Sequence, residues 1–142
     1  MITVKKNYFF ILLFVIAIIS ITATMLFYSF YIIVNIREFN MTLMVGDHAG
    51  FDVDSERLAF GMASPGDNSC TRYIFVSNKK DYPLNVYINF YGKLAEWVTV
   101  SDNYFILEPG EEKKLSFSAS APEGSAYGNY TGTARFTFKK IV

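Results

Sequence analysis

From Tyr8 to Val34 the chain shows no alternation of apolar and polar positions at all. These 27 residues include no charge and no Asn, Gln, Gly or Pro. A bilayer core needs ~20 apolar residues in a helix, so the run predicts one transmembrane helix that crosses with some tilt or reaches into the headgroups. A cleaved signal peptide has an apolar core of ~7–15 residues followed by a small-residue site. Here the small residues from Ser20 to Thr24 fall inside the run, which predicts an uncleaved signal-anchor. Neither a lipobox cysteine nor a prepilin-type site accompanies it.

Past the run the pattern takes a period of two. Leu84, Val86, Ile88 and Phe90 alternate with Asn85, Tyr87, Asn89 and Tyr91, which places one set on each face of a half-buried antiparallel strand. Leu115, Phe117 and Ala119 form the inward set of Lys113 to Ala119. Ala134, Phe136 and Phe138 do the same for Tyr130 to Lys139. Shorter strand-like runs are Thr42 to Val45, Arg57 to Phe60, Thr71 to Ser77, Trp97 to Val100 and Tyr104 to Leu107. Thr71 to Ser77 is apolar on both faces, so its inner face is open. Turn clusters separate the runs, among them Ser64 to Ser69, Asn78 to Pro83, Glu108-Pro109-Gly110-Glu111 and Pro122-Glu123-Gly124. Outside the span no helical period appears. Seven or eight short strands at this spacing predict an all-β immunoglobulin-like sandwich preceded by one transmembrane α-helix, with the lone Trp97 as its natural centrepiece. The expected layout is a cytoplasmic tail over 1–7, the helix over 8–34, a juxtamembrane connector over 35–41 and the sandwich over 42–142.

Charge orients this layout. Lys5 and Lys6 precede the span, whereas Arg37 beyond it is offset by Glu38. Positive flanks stay cytoplasmic, so the domain is expected outside the plasma membrane. All 13 acidic and 11 of the 13 basic residues lie beyond the span. That near-neutral balance has no basic stripe and gives no case for nucleic acid. The single cysteine, Cys70, excludes an intrachain disulfide. It is either a core thiol or the site of an intermolecular bridge.

The order of turn and core residues is informative as a set. Leu58-Ala59-Phe60-Gly61 and Pro65-Gly66 are followed by a strand ending in Ser77-Asn78. Next come Pro83-Leu84-Asn85-Val86, Trp97-Val98, and Phe105 through Pro109-Gly110-Glu111. Ala121-Pro122-Glu123-Gly124 and Tyr127-Gly128-Asn129-Tyr130-Thr131-Gly132 close the series. Over about Leu58 to Lys139 this resembles immunoglobulin-like modules of the alpha-galactosidase-associated, hydin and major sperm protein types. The layout of span plus module also resembles small membrane proteins of archaea and, more loosely, archaellum stator subunits. The resemblance implies a fold; its marker residues are turn and core residues, and the fold hosts many roles.

Candidate chemistry is sparse. Asp52, Asp54 and Glu56 form a D-x-D-x-E cluster near Asp47 and the only histidine, His48. Oxygen ligands of this kind suit calcium, although the EF-hand spacing is missing and a solvated loop explains the cluster as well. Asn40-Met41-Thr42 and Asn129-Tyr130-Thr131 are glycosylation sequons on the side expected to be external. Tyr87, Tyr91, Asn85 and Asn89 share an outward strand face suited to recognition or to cross-strand packing. Ser20 and Thr24 make a small-xxx-small pair in the span. No nucleophile–base–orienter set stands out, so no enzyme and no cofactor are expected. The expected role is a membrane-anchored external binding or scaffold module. Its partners would be the lipid bilayer and an envelope or surface-layer protein or glycan. Two alternatives stay open: a subunit of a larger membrane machine assembled through the span, and a calcium-dependent surface protein.

Overall fold

The structure is a computed structural model that describes residues 3–47, 57–66 and 70–141. Helix α1 runs Thr3–Phe27 and passes into a π-helical turn, Tyr28–Ile32. Tyr8–Ile32 spans 25 residues and is long and apolar enough to cross a membrane, with none of it buried in the protein. At 1.5 Å per residue it reaches about 37 Å. Its hydroxyls are satisfied within the helix. Ser20 donates to the Ile16 carbonyl at 2.9 Å, and Thr22 and Thr24 do the same one turn back at 2.8 Å. In hydrocarbon that internal satisfaction removes the cost of an unpaired polar group.

The rest is β-structure. The strands are β1 (Ile33–Val45), β2 (Leu58–Ala63), β3 (Cys70–Ser77), β4 (Leu84–Gly92), β5 (Val98–Val100), β6 (Phe105–Leu107), β7 (Glu112–Ala119) and β8 (Gly128–Lys140). They form a five-stranded sheet in the order β2-β1-β8-β4-β6 and a three-stranded sheet in the order β3-β7-β5. The larger sheet curls as a half-barrel. β2 lies parallel to β1, whereas every other pairing is antiparallel.

One apolar core lies between the sheets. The inward sets of β4, β7 and β8 are those the alternation predicts: Leu84, Val86 and Ile88; Leu115, Phe117 and Ala119; Ala134, Phe136 and Phe138. Phe117 of the smaller sheet meets Phe136 and Phe90 of the larger at 5.9 and 6.2 Å between ring centroids. The centre is therefore phenylalanine. Trp97 is only half buried; it sits in a 3-10 turn, Ala95–Trp97, tilted against Tyr130 at 4.4 Å. An indole is large and its N–H needs a partner, which favours the rim of a small core over its centre.

Two boundaries differ from expectation. The helical segment ends at Ile32 rather than Val34. Residues 35–41 are not a connector but the first half of β1, paired with β8 from Ile33↔Lys139 onward. The local pattern Asn35-Ile36-Arg37-Glu38 is a poor strand by itself. β8 is 13 residues long and supplies a partner for each position, so tertiary pairing overrides propensity. In β3 the open question of the inner face resolves to Arg72, Ile74 and Val76 inward, with Tyr73 and Phe75 exposed. Cys70, at the start of β3, is half buried, and its Sγ lies 3.8 Å from the Met62 carbonyl oxygen.

Candidate functional site

β1 is longer than the strand beside it. β2 covers only Met41–Val45, so Ile33–Asn40 has β8 on one side and no strand on the other among the described residues. β3, the edge strand of the smaller sheet, pairs only with β7. The two free edges face each other at the end of the domain nearest the helix and leave a cleft of about 210 Å³ between the sheets.

The cleft is lined by Phe39 and Ile74, which are half buried, and backed by the core side chains Val76, Leu84, Phe136 and Phe138, which are themselves buried. The rim is cationic. From Asn35 onward the odd-numbered residues of β1 lie on the inner face, and this phase brings Arg37 opposite Phe136, where an apolar residue would be the usual choice. Lys79 and Lys80 stand on the other side, and among the described residues no carboxylate lines the cleft. Arg37, Lys79 and Lys80 form no ion pair among the described residues. A cleft with cations at its rim and apolar walls suits an anionic, partly apolar occupant.

A buried asparagine holds this rim in place. Asn78 is 1% exposed. Its Nδ2 donates to the Tyr82 carbonyl at 2.9 Å and to that of Leu107 at 3.0 Å, and its Oδ1 accepts from the Lys80 amide at 2.9 Å. Its backbone N–H donates to Glu111 and its carbonyl accepts from Gly110, each at 2.9 Å. Every polar group of Asn78 is thus satisfied, as burial demands. The Asn78–Pro83 turn therefore presents its two lysines from a fixed base.

The helix is tied to the same end. Lys139 donates to Tyr28 Oη at 2.5 Å and lies 4.7 Å above the Tyr87 ring, and Lys140 lies between Tyr31 and Tyr82 at 5.1 and 4.7 Å. The Tyr28 hydrogen bond holds the Lys139 ammonium above the usual lysine value, against a smaller opposing effect of burial. Tyrosine–lysine clusters of this kind suit the polar–apolar boundary of a bilayer.

The residues singled out by sequence fall elsewhere. Asn85, Tyr87, Asn89 and Tyr91 do share the outer face of the larger sheet, and their rings are engaged there. Tyr87 packs edge-on against Tyr104 at 5.6 Å, and Arg135 lies 4.9 Å above Tyr91 while donating to Glu38 at 2.7 Å. Both sequon asparagines, Asn40 and Asn129, are exposed. With Tyr91, Thr131 and Thr133 they border a second, shallow hollow of about 640 Å³. Asp52, Asp54, Glu56 and His48 lie outside the described residues. Among the described residues no three His, Cys, Asp or Glu side chains gather as metal ligands.

No family model matches the chain, and no curated protein matches it. Among solved structures, it is similar to a chain described as the DraE adhesin in complex with chloramphenicol succinate. That match has 10% identity and a TM-score of 0.45, and covers 78% of this chain and 98% of the other. A likeness so distant says nothing about what this chain binds.

Proposed function

We propose that this protein is a non-catalytic binding module of the cell envelope, with an immunoglobulin-like sandwich held outside the plasma membrane by one signal-anchor helix, its ligand seated in the cleft beside the helix. The observation that carries this reading is the cleft: half-buried Phe39 and Ile74 and exposed Phe75, rimmed by Arg37, Lys79 and Lys80, with no carboxylate lining it among the described residues. A concave site with apolar walls and a few charged groups at its rim is a fitting place for a ligand. The span and the Tyr28/Tyr31–Lys139/Lys140 cluster support a position at the outer headgroup layer. Helix and strand join without a linker, which makes the bilayer part of the site's surroundings.

The test uses full-length protein in its native membrane with a photoreactive benzophenone side chain in place of Phe75, which is 62% exposed at the cleft mouth. A second protein carries the same group in place of Ile106, which is exposed on the outer face of β6. The reading expects a discrete adduct from the cleft position alone. Equal adducts from both positions, or none from either, would overturn it.

The outer hollow favours a second reading, in which a glycan is the ligand. Tyr91 flanked by Asn40, Asn129, Thr131 and Thr133 offers one ring face and several hydroxyl and amide groups to a sugar. Tyr91→Ala should then abolish retention on immobilised envelope polysaccharide. Unchanged retention removes this reading.

A further inference from the structure

We infer that Asn40 and Asn129 are both acceptors for an N-linked oligosaccharide, so that two glycans stand side by side on the outer face of the larger sheet. This goes beyond the binding-module reading and rests on the external placement proposed with it. In a strand, residues i and i+2 share a face and the residue between them points the other way. An acceptor triplet laid in a strand therefore shows its asparagine and threonine together and hides its middle residue. Asn40-Met41-Thr42 in β1 does this: Asn40 is exposed, Thr42 is half buried and Met41 is in the core. Asn129-Tyr130-Thr131 in β8 repeats it, with Asn129 and Thr131 exposed and Tyr130 packed against the core. Neither middle residue is proline, which the motif forbids.

The two triplets also meet. β1 and β8 are antiparallel, and their register sets Thr42 opposite Thr131, Asn40 opposite Thr133 and Asn129 opposite Met44. The asparagines thus lie at opposite ends of a threonine pair, about 14 Å apart at the usual rise of a strand, and both border the outer hollow with Tyr91. Packing explains the threonines, which are good strand formers and stabilise a sheet as a cross-strand pair. It does not explain the asparagines, which are poor ones. Their side-chain amides make no hydrogen bond among the described residues, whereas those of Asn78 and Asn103 are engaged with backbone carbonyls. Asn85 and Asn89 share the same sheet face with idle amides, but a tyrosine stands two residues beyond each. Only Asn40 and Asn129 on that face combine an idle amide with the hydroxyl that transfer requires. In the transfer, the amide Nδ2 forms a bond to the anomeric carbon of an oligosaccharide carried on a polyprenyl phosphate. The bond from that carbon to the phosphate oxygen breaks, the lipid phosphate leaves and the amide gives up one proton. Both acceptors end up inside a ladder, so the transfer precedes the pairing of β1 with β8, while the chain is still extended on the outer side.

The experiment takes the full-length protein from its native membranes, cleaves it with trypsin and sequences the fragments by mass spectrometry under conditions that keep sugars attached. Asn40 falls in fragment 38–57 and Asn129 in fragment 115–135, and neither fragment holds a second asparagine. Both should carry a sugar series on the asparagine. Fragment 81–93, which holds Asn85 and Asn89, is the internal control and should keep its plain mass. Thr42→Ala should clear the sugar from Asn40 alone, and Thr131→Ala from Asn129 alone. Thr42→Ser and Thr131→Ser should retain it, because either hydroxyl completes the motif. Recovery of fragment 38–57 or 115–135 only at its plain mass overturns the inference. So does sugar that survives Thr42→Ala or Thr131→Ala, or that appears on fragment 81–93. Protease treatment of intact cells separates the causes of a negative result. Bare asparagines on a domain that protease removes would strike the glycans and leave the binding module standing. Bare asparagines on a protected domain would take the external placement with them.

Discussion

Two buried side chains, Phe136 and Asn78, hold the domain by different means at residue scale. Phe136 is fully buried and touches Phe39 and Phe117 at 5.2 and 5.9 Å. Phe136→Ala should cost about 4 kcal/mol, the range for deleting a buried ring, measured by chemical denaturation. Asn78 works through polarity instead. Asn78→Ala removes three side-chain hydrogen bonds and leaves the buried Leu107 carbonyl without its donor. The expected loss is about 3 kcal/mol. Asn78→Asp should be as harmful, because a carboxylate cannot donate to the Tyr82 and Leu107 carbonyls. Cys70 gives the pH prediction. Burial pushes its thiol above the ordinary value while Arg72 pulls the other way. Folding thus favours the protonated thiol. Its small contribution to stability is present below the ordinary thiol pKa of about 8.5, and fades as pH rises through the higher folded value. Alkylation of Cys70 in the folded protein should lag behind that of the unfolded chain at pH 8.5. Equal rates would contradict the burial.

At the scale of elements, the junction between helix and sheet matters most. The π-helical turn Tyr28–Ile32 runs straight into β1, and Lys139 and Lys140 of β8 reach back to Tyr28 and Tyr31. Inserting a Gly-Ser pair between Ile32 and Ile33 should free the domain from the helix. Spin labels on the two sides should then report a broad distance distribution where the native chain gives a narrow one. This junction was the least legible part of the sequence. Strands β4, β7 and β8 were readable because their inward and outward residues differ in polarity at every step. The first half of β1 was not, because Asn35 and Arg37 occupy inward positions and break the alternation that would have marked a strand. The same two residues line the cleft. The feature that hid the strand is thus part of the candidate site. The remaining lining residues come from distant stretches of the chain, so no local motif could have announced it. Phe75 gave a partial signal, as an aromatic in a run apolar on both faces.

At the scale of the whole molecule, the testable quantity is which side of the membrane the domain occupies. Protease added to intact cells should remove β1 through β8 and leave a membrane-embedded fragment that includes Tyr8–Ile32. Protection until the membrane is breached would reverse the proposed orientation. The two sheets and their shared core belong to one layer pair, and the helix adds nothing to that core. Unfolding of the domain should therefore proceed in one transition whose midpoint does not depend on the length of the span, measured with the span shortened by one turn.

A linker-free joint also limits geometry. A module on a flexible tether sweeps a hemisphere and meets its partner at many heights. Here the cleft opens within a few residues of the last helical turn, so with the span placed as proposed its altitude above the lipid is set by the chain itself. On the proposed reading, a partner has to reach the cleft at that altitude, and the search shrinks from a volume to a thin layer. Most of the orientational freedom that docking would otherwise remove is already gone before the encounter, which lowers the entropic cost of association. The same rigidity makes the site responsive to the bilayer. On the proposed placement, a thinner membrane that tilts the span would lean the cleft with it.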